Sequence, residues 1–164
     1  DLPDSSLVSV RLADNRRMCV ATPAYLAKHG TPKIPSDLLQ HSCLTLSSDA
    51  SQTRGWAFKV PPSDTAEGPE VTYLRPHGPL DCSDGQVLHG WCLADMGIAW
   101  RSTWEVENDI RSGQLVEVLA EFAAPPNGIY GVFPQRKHLP LRLRLWIDFL
   151  KHHYSLPATW QSAP

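Results

Sequence analysis

The chain has 164 residues, 42% of them hydrophobic and 20% charged, a composition that suits one globular domain or two small lobes. A net charge of −2 with scattered basic residues leaves no electrostatic case for nucleic-acid binding by this chain itself. No apolar run is long enough for a membrane span, and the four cysteines form no C-x-x-C pair, so zinc and redox motifs are not indicated and a reducing, cytoplasmic setting fits.

Residues 1–6 read as a turn-rich entry. Leu7 to Leu12 alternate as a strand that Asp14-Asn15 is expected to break. Met18-Cys19-Val20-Ala21 has the continuous apolar pattern of a strand buried on both faces. Thr22-Pro23 then offers an N-cap and a first-turn proline, and Gly30, with Pro32 beyond it, stops the helix. Pro35-Ser36 opens a short helix to Gln40. Cys43 to Leu46 reads as a strand and Ser47 to Arg54 as a polar loop. Trp56–Val60 and Val71–Leu74 read as a hairpin with a long Pro/Ser/Gly connection over 61–69.

Residues 79–107 carry the densest signals. Ser83 with Gln86, and Ser102 with Glu105, each fit a capping box. Val87, Leu88 and Trp91 recur at helical spacing. Gly97 is placed to end that helix in a left-handed conformation, before the short buried run Ile98-Ala99-Trp100. The second helix ends near Gly113, and Leu115–Leu119 reads as a strand. After a loop over 123–128 comes the strand Ile129–Phe133, whose Gly131 would admit a close approach. Pro140 opens a last helix with an apolar stripe of Leu143, Trp146, Ile147, Leu150 and Tyr154. The residues from Ser155 read as a loop-like tail. The alternation predicts an α/β fold with a largely parallel sheet and an antiparallel hairpin at one edge.

Three of these junctions lead from strand to helix, at Thr22, Ser83 and Ser102. The carboxyl edge of an α/β sheet is where ligands bind, and free helix N-termini favour anions. Singly, each hydroxyl is better read as a cap; only convergence on one edge raises a binding role. Catalysis is not indicated. His89 and Cys92 share a helix face without a third orienting group, and His152-His153 reads as a solvated helix end. No metalloprotease, P-loop or dinucleotide motif is present, so neither cofactor nor metal is expected.

Four segments in order and spacing point to a family: LPDSSLVSVRLA at 2–13, ATPAYLAKHGTP at 21–32, SDGQVLHGWCLADMGIAWRSTW at 83–104 and VFPQRKHLPLRLRLWIDFL at 132–150. Together they resemble the effector-binding domain of LysR-type transcriptional regulators. The resemblance implies a type 2 periplasmic-binding-protein-like α/β fold. Residues 14–128 would form regulatory subdomain II, 1–13 and 129–154 a remnant of subdomain I, and 155–164 a tail. It further implies a small organic acid or aromatic effector in an interlobe cleft, met by Thr22, Ser83, Asp84, Trp100 and Arg101. Ser9, Arg11, Tyr130 and Phe133, on the segments that cross between subdomains, are weaker candidates. Arg101 would hold a carboxylate bidentately or act as a hinge ion-pair partner; Asp84 would accept a donor from the ligand or cap its helix. The sequence departs from the family with Thr22 for serine, Ser83 for asparagine, Asp95-Met96 for Ala-Gly, and a bulky Trp100 that would narrow a pocket. DNA contact would run only through an N-terminal winged helix-turn-helix outside this sequence. Self-association is expected, since the last helix would otherwise expose its stripe; membrane association is not. The alternative is a solute-binding protein of a transporter, which shares the two-lobed architecture; the four motifs favour the regulator.

Overall fold

The computed structural model describes residues 7–47, 55–60, 71–134 and 140–155. The expected entry at 1–6, most of the loop at 47–54, the hairpin connection at 61–69 and all of the tail beyond Ser155 lie outside the described residues. Contacts divide the chain into two compact units, 16–125 and the combination of 1–15 with 126–164.

The larger unit is built on five strands: β2 (Arg17–Ala21), β3 (Cys43–Leu46), β6 (Asp81–Cys82), β7 (Ile98–Ser102) and β8 (Val116–Val118). Their order is β6-β3-β7-β2-β8. The β6–β3 and β3–β7 pairs are parallel, whereas β2 is antiparallel to both of its neighbours. Four strands therefore run one way and β2 runs the other, so the sheet is mixed where a largely parallel one was expected. The hairpin of β4 (Trp56–Lys59) and β5 (Val71–Leu74) is antiparallel as expected, yet it forms its own two-stranded sheet rather than an edge of the main one.

β2 shows why the centre is stable. Met18, Cys19, Val20 and Ala21 are all buried, and alternate side chains enter different cores. Cys19 and Ala21 join Tyr25, Leu38, Cys43, Trp56, Phe58 and Ile98 under the hairpin and helix α1 (Pro23–His29). Met18 and Val20 join Leu44, Leu88, Cys92, Ala99, Val106 and Leu115 under helices α2 (Gly85–Leu93) and α3 (Thr103–Ser112). Strands buried on both faces must be apolar throughout, which is the pattern read from the sequence.

The helix ends are mostly those expected, with two corrections. Thr22 caps α1 by accepting from Tyr25 N–H at 3.2 Å, and Gly30 closes it with φ 86°. Gly113 takes the left-handed position after α3 with φ 76°. The cap of α2 is Asp84, not Ser83: its Oδ1 accepts from Gln86 N–H at 2.7 Å and Val87 N–H at 3.1 Å. A carboxylate one residue closer to the helix outcompetes the serine hydroxyl for the same N–H groups. Gly97 does not make the left-handed turn either. The helix caps at Ala94 and Asp95 takes the positive φ, at 61°, where its carboxylate accepts from the Thr22 hydroxyl.

A polar cluster closes the α1 side of this core. The Tyr25 hydroxyl accepts from Ser42 N–H at 3.0 Å, lies 3.3 Å from His41 Nδ1, and the Tyr25 ring stacks on His29 at 4.6 Å. Burial pushes the His41 pKa below its ordinary 6.5, His29 adds to this, and Asp37 opposes it. The folded chain therefore binds fewer protons at His41 than the unfolded chain does. Stability should rise with pH through the window ending near 6.5 and receive nothing further from His41 above it. Urea midpoints measured across that window should show a shallower slope in His41→Gln than in the wild type.

The smaller unit pairs β1 (Leu7–Asn15) antiparallel with β9 (Asn127–Pro134), and helix α4 (Leu141–Ser155) packs on β1. Asp14-Asn15 does not break β1. The strand continues to Asn15 through an irregularity between Arg11 and Ala13, with Arg11 ion-paired to Asp14. Gly131 is not a point of close approach, since a Cβ there would make only ordinary contacts, the nearest at 3.7 Å to Leu12. Leu143, Ile147, Leu150 and Tyr154 form the half-buried face of α4, while Trp146, expected on that stripe, is 56% exposed.

Candidate functional site

Because β3, β6, β7 and β8 run in one direction, their carboxyl ends define one edge of the five-stranded sheet, and β2 begins on that same edge. There Arg17 lies opposite Ser102 and Met18 opposite Arg101. The edge carries Ser83 and Asp84 after β6, and Arg101 and Ser102 at the end of β7. Thr22 is not among them. It follows the end of the reversed strand β2, where Val20 already lies opposite Ala99, and its hydroxyl reaches Asp95 ahead of β7. The expected convergence of Thr22 with Ser83 and Arg101 is therefore overturned by the direction of one strand.

Arg101 is 5% exposed and donates to Glu105 Oε1 at 2.6 Å. It also lies against the first turn of α2, where a Cβ on Gly85 would stand 2.8 Å from its Nη2. The guanidinium is thus a strut between the starts of α2 and α3, and its carboxylate partner comes from the chain itself. Glu105 serves twice, since its other oxygen accepts from Ser102 N–H at 3.0 Å in the expected capping box. Trp100 is half-buried on the hairpin side. The Arg17 guanidinium lies 4.7 Å from its ring, and Trp56 stacks on it at 6.2 Å.

These geometries revise the anion argument. Asp84 brings a carboxylate to α2, Glu105 brings one to α3, and Thr22 brings a hydroxyl to α1. Each helix start has its own acceptor, so a free N–H cradle is not what the edge presents. Sequence reasoning also passed over Arg16. Its guanidinium pairs with Glu117 at 2.5 Å and its carbonyl accepts from Thr103 N–H at 2.9 Å, tying the first residue of this unit to β8 and α3. The burial of Glu117 raises its pKa, and Arg16 opposes the rise. The consecutive pair Arg16-Arg17 ahead of a wholly apolar strand was the available signal.

Ser9 and Tyr130 belong to the smaller unit, both on its two-stranded ribbon. Ser9 is exposed and pairs with Val132, while Tyr130 is half exposed and pairs with Arg11. Burial pushes the Cys43 and Cys92 thiols up to about 12, and Cys92 faces the carbonyls of Val20 and Gly97. His89 contacts Asp109 across α2 and α3 at 3.1 Å.

A small α/β unit on a mixed five-stranded sheet, with side chains gathered at the carboxyl edge, is the architecture of a ligand-binding module. The family model described as the LysR substrate binding domain matches residues 1–155, and the chain belongs to that family. Among curated relatives it is 35% identical over 150 residues to the HTH-type transcriptional regulator DmlR of Escherichia coli, covering 92% of this chain and 46% of DmlR. It is 36% identical over 151 residues to the HTH-type transcriptional regulator CrgA of Neisseria meningitidis, covering 92% of this chain and 48% of CrgA. The chain thus spans about half the length of the curated relatives it matches. The solved regulatory domain of CrgA superposes with a TM-score of 0.74 at 35% identity, covering 94% of this chain and 72% of that one. The full-length Vibrio cholerae virulence activator AphB also gives 0.74, at 25% identity, covering 94% and 50%. The family and its neighbours bear out the type 2 periplasmic-binding-like fold. They are regulators of transcription rather than enzymes, and they do not favour the transporter alternative.

Proposed function

We propose that this chain is the effector-sensing part of a cytoplasmic bacterial regulator, taking up a small organic acid or aromatic molecule in the interlobe cleft that the family resemblance implies. The family match along residues 1–155 carries this reading. The crowding of Ser83, Asp84, Trp100 and Arg101 along or just behind one sheet edge supports it. Asp84, already capping α2, keeps lone pairs for a donor on the ligand, which favours a hydroxylated or amino-bearing effector at that point. Trp100 offers a ring face and Ser83 a hydroxyl. Thr22 acts as a cap and as the donor to Asp95. In the intact regulator, effector binding shifts a conformational equilibrium that DNA-binding heads read, by as much as the effector's affinity differs between the states.

The test is a thermal-shift screen of small acids and aromatics, followed by variants. A bound effector raises the midpoint by mass action. Ser83→Ala and Trp100→Leu should weaken the shift, and Thr22→Ser should leave it unchanged. A hit equally indifferent to both Ser83 and Trp100 would sink this placement.

Self-association is part of the same proposal. Leu141, Leu145, Trp146 and Phe149 stand more than half exposed on α4, a contiguous apolar face that a second copy would cover. Sedimentation should show mass increasing with concentration in the wild type and much less in Trp146→Glu. A monomer at every concentration refutes it.

A further inference from the structure

The polar cluster around Tyr25 is built for one protonation state of a histidine. Tyr25 is 2% exposed, and its hydroxyl has a single proton to donate. That oxygen accepts from Ser42 N–H at 3.0 Å, so its own proton is the one that joins it to His41 Nδ1, 3.3 Å away. The arrangement assigns His41 as the neutral tautomer with its proton on Nε2. Burial raises the Tyr25 pKa and keeps the hydroxyl protonated; the Ser42 N–H opposes the rise, and Cys43 adds to it. The other groups around His41 are His29, whose ring stacks on Tyr25 at 4.6 Å, and Asp37 of the 3-10 turn Pro35–Gln40. Asp37 Oδ2 already accepts from Lys33 N–H at 2.8 Å and Ile34 N–H at 3.1 Å. Ser42 carries the consequence onward. Its carbonyl accepts from Ile98 N–H at 2.9 Å, where β3 and β7 begin to pair.

We propose that Tyr25, His29 and His41 form a proton-operated clasp on the segment 30–42: a neutral His41 closes it, and a proton on its Nδ1 opens it. With that proton His41 turns from acceptor to donor. The Tyr25 oxygen then meets two donors, Ser42 N–H and His41 Nδ1–H, and its own proton is left facing buried surroundings. A positive charge on His29, against the same tyrosine ring, repels the one on His41, while Asp37 favours it. The closed clasp therefore binds the proton less readily than the open one. Closure is strongest above the ordinary histidine value of 6.5 and weakens as pH falls below it. What opens is local. Ser42 N–H loses its acceptor, and the first hydrogen bond between β3 and β7 loosens with it. The clasp gives the larger unit a response to acid that needs no ligand. It comprises none of Ser83, Asp84, Trp100 or Arg101, and the proposal does not rest on the effector reading of those residues.

The test is NMR and amide hydrogen exchange on the labelled chain from about pH 5 to 8. At the upper end the His41 ring nitrogens should show the Nε2–H tautomer. The Ser42 amide should be protected there, but less than the amides of the central strand β2 and insensitively to low urea, the mark of a local opening. Its protection factor should fall as pH drops below 6.5. His41→Gln keeps an acceptor for the Tyr25 hydroxyl and does not titrate, so Ser42 protection should become independent of pH. His29→Gln removes the second charge from an exposed position and should shrink the fall. Tyr25→Phe should leave Ser42 unprotected at every pH and release the tautomer preference of His41. Should Tyr25→Phe fail to fold, the two glutamine variants decide the matter. The proposal is overturned by an Nδ1–H tautomer at high pH, by a Ser42 amide that exchanges only with global unfolding, or by a fall that either glutamine variant leaves unchanged.

Discussion

Replacing Glu105 with glutamine should destabilise the chain by about 3 kcal/mol, because it strands the buried guanidinium of Arg101. Arg101 is 5% exposed, its hydrogen bond to Glu105 is 2.6 Å long, and its Nε is buried without a hydrogen-bond partner among the described residues. Glutamine is the informative change because its single acceptor oxygen can still take the Ser102 N–H, so the capping box survives while both the charge and the acceptor facing Arg101 are lost. Glu105→Ala removes the cap as well and should cost about 1 kcal/mol more. The double change Arg101→Met with Glu105→Gln should recover much of the loss, since a buried pair exchanged for a neutral one is often close to neutral in stability. Urea unfolding measures all three. A loss in Glu105→Gln of only ~0.5 kcal/mol would place the pair with exposed ion pairs and remove the strut from the account of this edge.

The same pair shows where sequence reasoning stops. Glu105 three residues after Ser102 is visible as a capping box in one dimension, and the structure keeps it. That its second oxygen holds Arg101 depends on which way β7 presents its side chains, and nothing local encodes that. Local chemistry was legible wherever the competing acceptors were few: the Thr22-Pro23 start, the Gly30 and Gly113 stops, and the doubly buried strand at 18–21. It misled at Ser83, where two acceptors stand side by side and the aspartate wins. The expected meeting of Thr22 with Ser83 and Arg101 on one edge failed for a topological reason. Thr22 follows a strand as Ser83 does, and the sequence carries no sign that β2 runs against its neighbours. Strand direction is set by long-range pairing, so the common edge was an assumption that one antiparallel ladder removes.

The second large effect concerns two glycines that were read as turn-makers or passed over. Gly97→Ala and Gly78→Ala should each cost about 3 kcal/mol, since both would drive a methyl group into rigid backbone. A Cβ on Gly97 would lie 2.3 Å from the Ser42 carbonyl oxygen, and one on Gly78 would lie 2.0 Å from the Cys43 carbonyl oxygen. These two targets are consecutive residues at the entry to β3, with Gly97 ahead of β7 on one side and Gly78 ahead of β6 on the other. The bonds at stake are Ile98 N–H to Ser42 O at 2.9 Å and Cys43 N–H to His77 O at 3.4 Å, which begin the two parallel ladders of the sheet. Opening either ladder moves β3 and disturbs the buried Cys43, Leu44 and Ile98 in both cores at once. Because both substitutions displace the same strand, their costs should not add, and the double variant should lose less than the sum. Gly90→Ala is the control. It is exposed within α2, a Cβ there meets nothing within 4 Å, and alanine should stabilise by about 0.5–1 kcal/mol through helix propensity. If Gly78→Ala and Gly97→Ala unfold at the wild-type urea midpoint, β3 is not held at the separation described, and the parallel half of the sheet must be reconsidered.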